Sequence, residues 1–207
     1  MHFFIFKWGI DISGDAEVKG DVTSTIAQYN EDFPTQMSKV TINSSGSIYY
    51  DIDNAISISA EFGAKIADGF GLGIGVTYQI ERGFDEDEFE GKFQFIPIYG
   101  LVKFGKDTGS SVSTFATVHA GYNFFLGDDD FPEEMDLEGG LYWGIGMGLR
   151  FSNGAQIEFL YSVNEGSISG EDVDIVPGYS PLVVTITDVI DLEFKYTKLT
   201  LSGGYVF

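Results

Sequence analysis

The residues of this chain with ionic or catalytic potential are mostly carboxylates. Asp and Glu number 32 against 11 Lys and Arg, with two histidines and no cysteine, giving a formal charge of −21 over 207 residues. Thiol chemistry, disulfides and cysteine-ligated zinc are excluded on that count. Nucleic-acid binding is disfavoured, because phosphates require clustered cations. Two acidic runs stand out, DEDEFE at 85–90 and DDDFPEEMD at 128–136. Neither has the D-x-D-x-D-G spacing of a calcium loop. They read as solvated loop charge, suited at most to weak calcium or magnesium bridging between anionic surfaces. His119 is the only histidine beyond His2. Activating a nucleophile would require a serine or carboxylate beside it. Its mid-segment position predicts a hydrogen-bonded interior residue instead. The runs GFGLGIG and WGIGMG repeat glycine every second residue, and no helix follows, so phosphate cradling is not expected. No catalytic residue, resident metal or cofactor is expected, and an enzyme is not the expected class.

The elements that would position these residues are strands. Stretches with apolar residues at helical spacing are missing, whereas alternation with period two recurs. Leu72, Ile74, Val76, Tyr78 and Ile80 alternate with Gly73, Gly75, Thr77, Gln79 and Glu81. Leu141, Trp143, Ile145, Met147 and Leu149 alternate with Tyr142, Gly144, Gly146, Gly148 and Arg150. The pattern predicts eight strands, at 3–19, 48–66, 71–84, 91–105, 111–126, 137–151, 155–165 and 191–207. Long connections are expected at 20–47, 85–90, 127–136 and 166–190. Short turns at ADGF, KDTGS and SNG carry hairpin residues. Two segments change apolar parity, one at Pro97, where a bulge is expected, and one near Thr197. Hairpins with one smooth end and one rough end describe an up-and-down barrel of one domain, 1–207.

Glycine decides which face is inside. Gly73, Gly75, Gly140, Gly144, Gly146 and Gly148 lie on the polar set. A solvated exterior has no reason to lose its side chains. The interior of an eight-stranded barrel does, since it is only wide enough for side chains to fill. The bulky set is therefore expected outside, facing lipid. Its aromatics are Trp8, Tyr78, Tyr122, Phe124, Trp143, Phe159 and Tyr161. The interior is expected to hold a paired ionic network of Lys7, Asp11, Glu61, Lys65, Glu81, Lys92, His119, Glu138, Arg150 and Glu158, because buried charges must be compensated. That network would plug the lumen. A run of ~18 or more apolar residues, as a spanning helix needs, does not occur. The opening MHFFIFKWGIDIS lacks a basic leader region, so the numbering is expected to describe a mature chain.

In this pattern the chain resembles the small eight-stranded outer-membrane β-barrels of Gram-negative bacteria, of the OmpX, OmpW and opacity-protein kind. The residues carrying the resemblance are AEFGAKIADGFGLGIGVTYQIERGF (60–84), FIPIYGLVKF (95–104), VHAGYNFF (118–125), GIGMGLRFSNGAQIEFLYS (144–162) and the closing LSGGYVF. The resemblance implies an eight-stranded antiparallel up-and-down transmembrane β-barrel with four longer outer loops and three short periplasmic turns. It places both termini on the periplasmic side. It also implies an assembly signal read by the barrel-assembly machinery, matched by Thr200, Tyr205 and Phe207, with Ser202 where glycine is usual. Lipid and lipopolysaccharide are the expected surroundings. A surface or envelope partner is expected through 20–47 and 166–190, where Val183, Val184 and Ile186 would extend strands or form a small hairpin. A structural or adhesive role is the first expectation. A narrow passage for small or apolar solutes and a soluble lipocalin-like carrier are the alternatives.

Overall fold

The computed structural model describes residues 2–30, 33–83, 92–105, 111–127, 135–177 and 182–207. Nine antiparallel strands are present among them. They are β1 (His2–Asn30), β2 (Phe33–Asp51), β3 (Ala55–Ala67), β4 (Phe70–Gln79), β5 (Phe93–Phe104), β6 (Val112–Gly127), β7 (Met135–Phe151), β8 (Ala155–Pro177) and β9 (Leu182–Val206). The order β1-β3-β4-β5-β6-β7-β8-β9 closes on itself through β1–β9 pairing. Eight strands thus form the barrel wall, as the alternation predicts. Closure pairs the wall's backbone without leaving an edge, which a sheet in lipid requires.

β2 is not part of the wall. It pairs with β1 from Asp15↔Asp51 to Asn30↔Phe33, directly above the stretch where β1 pairs β3. The expected loop 20–47 is therefore a long hairpin. The expected loop 166–190 is likewise strand, as β8 and β9 stay in register from Ala155↔Tyr205 out to Pro177↔Val183. Alternation missed β2 because Lys39 to Tyr49 are exposed on either face of it, whereas Val183, Val184 and Ile186 extend the closing strand as one expected alternative had it. A strand wetted on both sides has no apolar face to select.

The expected strand 48–66 is divided at Ile52–Asn54 between β2 and β3. There β1 bulges between Asp11 and Ser13. With its amide nitrogen turned toward the bulge, Asn54 donates to the carbonyls of Asp11 (3.0 Å) and Ile12 (2.7 Å). The bulge moves the inward set from odd residues (Lys7, Asp11) to even ones (Gly14, Ala16). A second bulge, at Gly139–Tyr142, does the same on β7. No bulge occurs at Pro97, where β5 and β6 run in unbroken register from Phe93↔Gly127 to Phe104↔Ala116. Tight turns at the smooth end rely on Gly69 (φ 74°) and Gly154 (φ 92°), the two described glycines at positive φ. The acidic run 85–90, most of 128–136 and the whole KDTGS turn lie outside the described residues.

Candidate functional site

The chemistry of the molecule is gathered inside the barrel, in three tiers. The lower tier joins Lys7 on β1, Glu61 on β3, Lys103 on β5 and Glu158 on β8. Lys7 Nζ pairs with Glu61 and lies 2.7 Å from Glu158 Oε1. Lys103 Nζ is 2.8 Å from Glu61 Oε2 and 3.6 Å from Glu158 Oε2. Two ammonium groups thus compensate two carboxylates. His119 lies beside them, its Nε2 3.8 Å from Glu61. Its ring stacks on Tyr99 at 4.4 Å, and its Nδ1 is 3.4 Å from the Tyr142 hydroxyl.

The middle tier is centred on Asp11, which accepts hydrogen bonds from Arg82 (3.0 Å), Lys198 (2.7 Å), Thr200 (2.6 Å) and Ser57 (3.4 Å). Arg82 also donates to the Tyr196 hydroxyl at 2.6 Å. Above it the interior is apolar. Phe93, Phe95, Phe125, Phe194 and Tyr196 pack together with Ala16, Ile52 and Ile168, the Phe95 and Phe125 rings stacked at 4.7 Å. At the smooth end the Phe115 ring is flanked by Lys103 Nζ at 5.1 Å and the Arg150 guanidinium at 5.5 Å.

Inward glycines make room for these groups. A Cβ on Gly75 would stand 2.5 Å from the Tyr99 ring, and one on Gly146 would meet the Phe159 carbonyl at 2.6 Å. Side chains and close strand approach occupy the space that a substituent would need.

The structure brings Lys7, Asp11, Glu61, His119 and Glu158 into this interior, each almost fully buried. Arg150 is half-buried at the mouth. Four expected members lie elsewhere. Lys65 points along the inward column but reaches the rim, where it pairs with Asp68 at 3.0 Å. Glu81 is exposed, because β4 ends at Gln79 and the chain turns so that Arg82 enters instead. Lys92 is exposed ahead of β5, and Glu138 is turned outward by the β7 bulge, which sends Leu137 inward. Arg82, Lys103 and Lys198 were not anticipated. Lys103 and Lys198 share the inward parity of Tyr99 and Thr200, so that signal was in the sequence. Arg82 follows an irregular step and left none.

The aromatics Trp8, Tyr78, Tyr122, Phe124, Trp143, Phe159 and Tyr161 all lie on the barrel exterior, together with Ile10, Ile74, Ile145 and Met147. Of the terminal residues, Thr200 points inward to Asp11, while Tyr205 and Phe207 lie outside with rings 4.9 Å apart. An apolar exterior around a charged interior is the inverse of a water-soluble barrel, and it is the surface of a barrel that spans a bilayer.

Glu61, His119 and Glu158 offer ligand atoms within 4.8 Å of one another, a spacing a metal ion could use. Lys7 and Lys103 already compensate both carboxylates, so the donor set does not fit a divalent cation without displacing an ammonium group.

No protein-family model matches the chain, and no curated protein is similar to it. Solved structures similar to it are outer-membrane proteins. OprG from Pseudomonas aeruginosa is 15% identical over 99% of this chain and 95% of that one, with a TM-score of 0.45. AlkL, solved in lipid bilayers, is 12% identical over 94% and 90%, with a TM-score of 0.44. Ail from Yersinia pestis is 12% identical over 94% and 99%, with a TM-score of 0.37. In its own strand order, closure and inverted polarity, this chain is an eight-stranded barrel with the surface of one that spans a bilayer.

Proposed function

We propose that this protein is a closed outer-membrane barrel that acts through its surface, as a structural or adhesive element of the envelope, and not as a solute passage. The supporting observation is the barrel's cross-section. Ion pairs link β1 to β3 and β8, and β5 to β3 and β8, and a packed aromatic layer lies above them. An eight-stranded wall leaves room for side chains only, and here they meet across the axis. The chamber that remains between the two ionic tiers is about 20 Å³, the room of a single small molecule.

The surface role rests on the sheet that rises past the apolar band. β2, β1, β9 and β8 continue together beyond it, and among the described residues β2 pairs with β1 alone. An unpaired strand edge can accept an extended segment of another protein. Lipid would contact the apolar band, lipopolysaccharide the rim, and the barrel-assembly machinery the closing strand with Thr200, Tyr205 and Phe207. Calcium or magnesium bridging by 85–90 and 128–136 would reconcile an anionic rim with anionic lipid phosphates. We propose no enzymatic step. His119 is held among Tyr99, Tyr142 and Glu61 deep in the wall, away from any rim where a substrate would arrive.

Planar-bilayer recording of the purified protein tests the reading. It predicts no steady conductance. Stable unit conductance, or solute-specific flux in loaded vesicles, would replace it with the passage reading.

A further inference from the structure

The charges enclosed in the barrel do not balance. Among the described residues, the buried Lys, Arg, Asp and Glu side chains are Lys7, Arg82, Lys103 and Lys198 against Asp11, Glu61 and Glu158. Four cations face three carboxylates, which leaves one positive charge without a counterpart. The excess lies in the middle tier, where Asp11 alone meets both Arg82 and Lys198. An uncompensated charge in such a place is expensive, so a compensating group is expected within reach.

The chamber between the tiers is placed for one. Lys198 from above and Lys7 from below line it, with the hydroxyls of Ser57, Thr77, Ser162 and Thr200 around the side. Ser162 is fully buried, and its Oγ has no hydrogen-bond partner in the protein. A hydroxyl can turn its proton toward whatever occupies the chamber. Glu158 also touches the chamber, and Lys7 holds its Oε1 at 2.7 Å. About 20 Å³ of the chamber is open to the centre of a water-sized particle, enough for a monatomic ion or a water.

We infer that this chamber is a buried site for one small monovalent anion of the halide class, held by Lys198 and Lys7 and a ring of hydroxyls. The site goes beyond the closed-barrel reading and can fail independently of it.

The test is to refold the protein into detergent micelles in sodium chloride, sodium bromide or sodium gluconate at equal ionic strength. Thermal unfolding is followed by gel heat-modifiability. Chloride and bromide should raise the midpoint over gluconate, increasingly with concentration, as linkage to native-state binding requires. Lys198→Met should fold and lose the halide dependence, since it removes the surplus charge. Ile74→Val, a conservative change on the barrel exterior away from the chamber, should keep it. Bromide-grown crystals should show one anomalous peak beside Lys198 Nζ. Equal midpoints in all three salts with no bromide peak would overturn the site. So would a halide dependence that survives Lys198→Met. Neither result would alter the conductance test, which probes closure alone.

Discussion

Single residues carry unequal weight in this barrel. Asp11 is the anchor of the middle tier, accepting from Arg82, Lys198, Thr200 and Ser57. Asp11→Leu would leave two buried cations facing each other, and removing one partner of such a group costs roughly 3–5 kcal/mol. Urea unfolding in detergent should show a loss of that size. A loss below ~1 kcal/mol would mean the tier is hydrated. On the opposite face Ile145 is 56% exposed. Ile145→Arg should impair insertion by roughly 2–4 kcal/mol if the position lies near the bilayer midplane, measured by refolding into vesicles. Unimpaired insertion would place Ile145 away from lipid. The inward residues were legible where parity was strict, as for Lys7, Asp11, Glu61, His119 and Glu158. They were illegible at the ends of strands, where Arg82 displaced Glu81 and a bulge reversed Glu138.

At the scale of elements, hydropathy and geometry separate. The apolar parity change at Pro97 suggested a bulge, and the one near Thr197 suggested an irregular strand. Neither backbone departs from alternation. Phe93, Phe95, Tyr99 and Lys103 all face inward on β5, as do Phe194, Tyr196, Lys198 and Thr200 on β9. What changes is the interior itself, aromatic above and ionic below. Phe95→Ala should therefore behave as a core truncation, costing roughly 3–5 kcal/mol by denaturant unfolding, where a lipid-facing bulge residue would be nearly silent. The β1–β2 hairpin was unreadable for the opposite reason, having water on both faces. It should be dispensable to the barrel. Gly20 pairs with Gly46, so removing 21–45 leaves a two-glycine hairpin turn. The shortened chain should still give a heat-modifiable barrel, and failure to fold would make the extension part of the barrel's core. At the base of the hairpin, Lys19 at 2.8 Å and the Tyr49 hydroxyl at 2.5 Å hold the Glu17 carboxyl below the usual carboxylate range. A depressed carboxyl contributes above its unfolded value of about 4.3, and the contribution fades as pH falls through the folded value. Glu17 should titrate below ~4.3 by NMR, and Tyr49→Phe should move it upward. No movement would remove the hydrogen bond from the account.

For the whole molecule, the extension and the barrel impose one geometric limit on partners. Two copies in one membrane present β2 running in the same direction, so they cannot pair their β2 edges antiparallel. The architecture follows from one inversion, with apolar side chains outside and charge within. The only two tryptophans in the chain, Trp8 and Trp143, both lie on the outer face, Trp8 at 59% exposure. Their fluorescence in vesicles, challenged with brominated lipid chains and separately with aqueous iodide, reports that inversion directly. Strong quenching by the brominated chains with little effect of iodide is the predicted result. Quenching by iodide alone would put both rings in water and contradict the barrel's orientation.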